Sequence, residues 1–237
     1  MIWWFFIFPL LGALVAQRLN HKLIDLSLLM LFSGAFLLTV TLTGILPHAV
    51  AESSTFIWLF VGMGYVFQLL IDVFTKGVEH GHIHGNEKIK IWPLYIALFC
   101  HALIEGMPLA LIDNKGQTLI NYFVGLAMHE IPAAFILTYL LHKSLKSLFF
   151  KWFMVLVYSF AIPLGYGLAS VIKTQVFFNS NIKNIILAIC SGILLHIATT
   201  VITENFKHHS FNKKKWLAFV AGLLLALISL FSHQLIH

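Results

Sequence analysis

Charge is what this chain has least of. Only 10% of its 237 residues are Asp, Glu, Lys or Arg, against roughly 25% in an ordinary soluble domain, which excludes a conventional water-soluble globule. Cysteine is scarce too. Cys100 and Cys190 both sit inside apolar segments, at a spacing that suits neither a disulfide framework nor a thiolate zinc site, so both read as core residues. A basic patch for nucleic acid is also missing: the formal net charge is +6, but the basic residues fall between apolar runs. Nor is there a basic stretch ahead of the first apolar run. Ile2 to Ala16 is followed, not preceded, by Arg18 and Lys22. That is the reverse of a secretory leader, so the run reads as a first membrane span.

What is present is long apolar segments. Hydrophobic residues make up 59% of the chain, and a helix crosses a bilayer with about 20 of them. Eight segments approach that length, at residues 2–17, 24–46, 55–75, 91–112, 117–142, 148–172, 182–203 and 215–235. The expected fold is therefore an all-α polytopic membrane protein with eight transmembrane helices, one transmembrane domain over 1–237, and a histidine-containing loop at 76–90. Basic residues orient it, since they accumulate on the cytoplasmic side. Twelve of the fifteen Lys and Arg lie in or beside the odd-numbered loops, leaving Lys115, Lys173 and Lys183 on the other side. Both termini are thus expected outside.

Two neighbouring segments carry ionisable residues at their middle. Residues 91–112 hold His101 and Glu105; residues 117–142 hold His129 and Glu130. A carboxylate at mid-membrane costs roughly 2.5–3.5 kcal/mol on insertion scales, so its presence calls for a function. His101 and Glu105 are spaced i, i+4 and share a helix face. The short connection makes the two helices antiparallel neighbours, which brings His101 and His129 to similar depth. Two imidazoles and a carboxylate at one level outline a divalent-metal site. Pro108 and Pro132 add an expectation that the freed carbonyls of Ile104 and Met128 serve a cation or water. A zinc-protease motif would need histidine at 133 beside His129, and that position is Ala133.

Other polar residues are weighed one by one. His80, His82 and His84 alternate along a Gly-containing loop and can offer imidazoles to a borderline cation, with a merely solvated loop as the plain alternative. His196 reads first as a hydrogen-bonded helix contact and second as a ligand. His48 stands near the outer surface as an entry residue. Asp72 and Glu204 fall near cytoplasmic helix ends, within reach of water.

Taken together, His101-x3-Glu105-Gly106, His129-Glu130-x-Pro132, Ser33-Gly34 leading to Leu46-Pro47-His48-Ala49, and Pro163-Leu164-Gly165 resemble the ZIP (Zrt-, Irt-like) family of divalent metal transporters. The resemblance covers nearly the whole chain. It implies a 3+2+3 inverted-repeat arrangement with the metal held midway between spans four and five. It also implies zinc as transported substrate (Fe²⁺, Mn²⁺ or Cd²⁺ as alternatives), passage into the cytoplasm and no enzymatic activity. The implied location is the plasma membrane, the inner membrane in a bacterium, with the lipid bilayer as surroundings and a homodimer open to it. The chain departs from the family pattern at Ala102, Ala133 and Ile162. His101, Glu105 and His129 then stand as the primary metal residues, with Glu130 as the remnant of a second position. Two competing readings are a metal-binding sensor or scaffold that does not transport, and an intramembrane zinc hydrolase using a metal-activated water.

Overall fold

The computed structural model describes residues 2–18, 26–51, 53–75, 91–112, 116–206 and 212–234. Among these every regular element is helical: α1 Trp4–Arg18, α2 Leu26–Val40, a π-helical turn Thr41–Ile45, α3 Leu46–Val50, α4 Ile57–Thr75, α5 Ile91–Gly106, α6 Pro108–Leu111, α7 Gln117–Ser144, α8 Leu148–Ser159, α9 Ala161–Lys173, α10 Ser180–Phe206 and α11 Lys213–Gln234. Five stretches are long and apolar enough to cross a bilayer: Ser27–Val50, Ile91–Leu111, Thr118–Ser144, Leu148–Lys173 and Ser180–Phe206. Trp4–Arg18 and Ile57–Val73 are apolar but shorter. The chain is a helical membrane protein.

Proline explains most of the irregularity. Pro108 has no N–H to give Ile104, and α5 ends at Gly106. Pro163 follows the join between α8 and α9 at Phe160. Pro47 follows the π-helical turn, where the Thr39 and Thr43 hydroxyls donate back to the Ala35 and Thr39 carbonyls at 2.9 and 2.6 Å. The helix nevertheless runs on to Val50, past the expected boundary at 46. Pro132, by contrast, sits inside an unbroken α7.

The helices pack in pairs: α4 on α10, α11 on α2, α1 on α7 and α9 on α5, with α2 also against α7 and α10. In each pair backbones meet at a glycine. A Cβ on Gly64, Gly222, Gly12 or Gly165 would fall onto the carbonyl of Ile189, Phe32, Ile131 or Leu103 respectively. Such close approach at small residues is how helices associate where lipid removes the hydrophobic drive. The outward faces are apolar, as a lipid-facing surface requires: Trp58, Leu59, Met63, Val66, Leu70 and Val73 of α4 are all exposed. Cys100 is exposed on α5, a correction to its reading as core, while Cys190 is buried in α10.

Candidate metal centre

The last two turns of α5 present His101 and Glu105 on one face, with His101 Nε2 3.3 Å from Glu105 Oε1. From α7, His129 brings its ring to 6.0 Å, centroid to centroid, from that of His101. Ligand atoms of all three residues lie within 4.8 Å of one another. Exposure of the three residues is 4%, 1% and 4%. In so dry a setting two neutral imidazoles and one carboxylate make a donor set for a divalent cation, short of neutrality by one charge.

The backbone around Glu105 is held from several directions. The Ile104 carbonyl that Pro108 leaves unpaired accepts from the Met107 N–H at 3.1 Å and faces Cys190 Sγ at 3.8 Å. It is therefore engaged by protein, contrary to the expectation that it serves a cation. The Tyr122 hydroxyl of α7 donates to the Glu105 carbonyl at 2.6 Å. Gly106 lies against the Ile162 carbonyl of α9.

Glu130 is buried next to His129 but is not among the three residues whose ligand atoms converge. It turns about 100° around the helix from its neighbour and stands beside Tyr158 of α8. Ala102, Ala133 and Ile162 are buried apolar residues.

His196 belongs to a different place. Its Nε2 lies 2.5 Å from Asp72 Oδ2 of α4 and 3.3 Å from the Thr200 hydroxyl. The Gln68 amide donates to Asp72 Oδ1 at 3.3 Å, and the Tyr65 ring meets the imidazole edge-on. The helix-contact reading of His196 is the one the geometry supports. Asp72 needs correcting: it is mostly buried, with 11% of its side chain exposed, and is engaged across a helix interface. The signal available was an acid and a base inside apolar segments, which pair in preference to standing alone. His48 lies in helical α3, with Nδ1 2.7 Å from the Gly44 carbonyl, and not beyond the helix end. His80, His82 and His84 lie outside the described residues.

Residues 79–230 match the family model described as ZIP Zinc transporter. "Zinc transporter ZIP3" of Bos taurus is 26% identical over 153 residues, covering 60% of this chain and 48% of that protein. The Homo sapiens protein of the same name gives the same identity and coverage. "Protein zntD" of Dictyostelium discoideum is 28% identical over 145 residues, covering 56% of this chain and 21% of that protein. The chain thus spans about half the length of the ZIP3 relatives.

Proposed function

The chain belongs to the ZIP zinc transporter family, and on that footing we propose that it carries a divalent cation, zinc foremost, across the membrane into the cytoplasm by way of His101, Glu105 and His129. One observation carries the assignment: three buried residues from two helices bring their ligand atoms within 4.8 Å of one another. Zinc takes imidazole and carboxylate together, and a three-residue site leaves a coordination position for exchange. Fe²⁺, Mn²⁺ and Cd²⁺ are accommodated by the same donors. Glu130 acts outside this shell, on the charge that the moving ion leaves or meets.

Eight spans in a 3+2+3 inverted repeat supply the frame. Helix pairing supports the repeat. Exchange spans one to three with six to eight, and four with five: α4 on α10 then becomes α11 on α2, and α1 on α7 becomes α9 on α5. The close glycine contacts follow the same exchange. Gly12 against the Ile131 carbonyl answers Gly165 against the Leu103 carbonyl. Ile131 follows His129 by two residues and Leu103 follows His101 by two, so the two histidines are mates under the repeat. By the same register the mate of Glu105 is Ala133. The site is therefore one-sided, with a carboxylate contributed by span four alone.

Zinc binding by calorimetry and zinc uptake into liposomes test the proposal together. His101→Ala and His129→Ala should each weaken binding and slow uptake, while Glu130→Gln should alter rate more than affinity. Unchanged binding in both histidine variants would sink the site. Tight binding with no uptake would mark the protein as a sensor or scaffold.

A further inference from the structure

We propose that Tyr122 is a positioning residue for the metal centre, its hydroxyl fixing the Glu105 backbone so that the carboxylate meets both imidazoles. This rests on the reading of His101, Glu105 and His129 as the cation's ligands. Glu105 is the next-to-last residue of α5, one turn before Pro108. Helix ends have carbonyls without intrahelical partners and are the first place a helix loosens. A ligand there needs its main chain held, because ligand geometry tolerates errors of only about 0.5 Å.

Among the contacts at this break, Cys190 reaches the Ile104 carbonyl and Gly106 abuts the Ile162 carbonyl. Tyr122 reaches the carbonyl of Glu105 itself, at 2.6 Å. It does so from α7, the helix that carries His129. Tyr122 and His129 are seven residues apart, close to two full turns, and so share a face. One face of α7 therefore grips the backbone of Glu105 with a phenol and sets an imidazole near its carboxylate as a further ligand for the cation. The buried Tyr122 ring sets the separation between the two halves of the site. Its hydroxyl proton is spent on the carbonyl, which makes it a support and not a ligand.

The test is a double-mutant cycle with Zn²⁺ as the probe. Tyr122→Phe removes the hydroxyl and little else. It should weaken zinc affinity at least about tenfold, the usual loss when a supporting hydrogen bond behind a ligand is removed, and raise the KM of uptake with little change in maximal rate. In a Glu105→Gln background the same change should alter affinity less than about twofold, because the carboxylate it positions is gone. Tyr95→Phe removes a like buried tyrosine hydroxyl bond on α5, to the Met154 carbonyl at 2.8 Å and away from Glu105, and should leave affinity near that of the parent. Uptake by cells, normalised to protein at the surface, gives the same comparison should Tyr122→Phe not survive detergent. Equal losses with and without Glu105, or no loss at all, overturn the proposal. A Glu105→Gln variant that binds zinc like the parent would bring down the metal-centre reading instead.

Discussion

His101 and His129 can hold a cation only as neutral imidazoles, because a protonated ring has no lone pair to give. Zinc binding should therefore weaken as pH falls, because protons compete with the cation for the ring nitrogens. With two rings competing for protons, the dissociation constant should rise by up to about two log units per pH unit on the acid side. Calorimetry across pH 5 to 8 in the parent and in His129→Ala checks this, and the variant should show the shallower slope. A pH-independent affinity would mean that the imidazoles are not ligands. At this scale the spacing of His101 and Glu105 was legible, because i, i+4 in a helix fixes a shared face whatever surrounds it. The engagement of the Ile104 carbonyl was not. Proline says that a carbonyl loses its partner, and only the neighbouring helix says who replaces it.

Two elements test whether the helix interfaces do what their geometry implies. Gly165 lets α9 lie against the Leu103 carbonyl, between His101 and Glu105 on α5. Gly165→Ala should force the two helices apart, lower the melting temperature and weaken zinc binding together. Gly167→Ala on the same helix meets open space, and should be neutral or more stable by up to about 1 kcal/mol, the helix-propensity difference. Equal melting temperatures for the two variants would refute the close packing. The second interface is α4 on α10, where His196 meets Asp72. His196→Ala removes the imidazole from a largely buried carboxylate and should cost about 3–5 kcal/mol, whereas replacing both residues with leucine should recover most of that. Thermal unfolding in detergent measures both, and zinc affinity should be unaffected in either. A double variant no better than the single one would show that the ionic pair itself is needed. The existence of these helices was readable from apolar runs. Their breaks were read less well: of the two prolines expected to free a carbonyl, Pro108 follows the end of α5 at Gly106, while α7 passes through Pro132 without interruption.

For the whole molecule the exposed test is orientation. If both termini lie outside, as the distribution of basic residues implies, a cysteine introduced at Gly85 or Asn212 should be shielded from an impermeant reagent in intact cells, and one at Gly116 should be labelled. Labelling at Gly85 from outside would overturn the eight-span reading. The sequence by itself determined that this chain is helical and made for a membrane, because so few charges and such long apolar runs leave no other way to satisfy the backbone in lipid. It also placed His101, Glu105 and His129 at one level along neighbouring helices, because a helix advances a fixed 1.5 Å per residue. Depth says nothing about lateral neighbours. The short connection after α5 also implied that His129 would close on His101 and Glu105, as it does; tertiary structure alone decided that Asp72 meets His196 and that Tyr122 grips Glu105. The Asp72–His196 contact follows from α4 and α10 approaching at Gly64 and Gly192, and a hydropathy pattern carries no record of that.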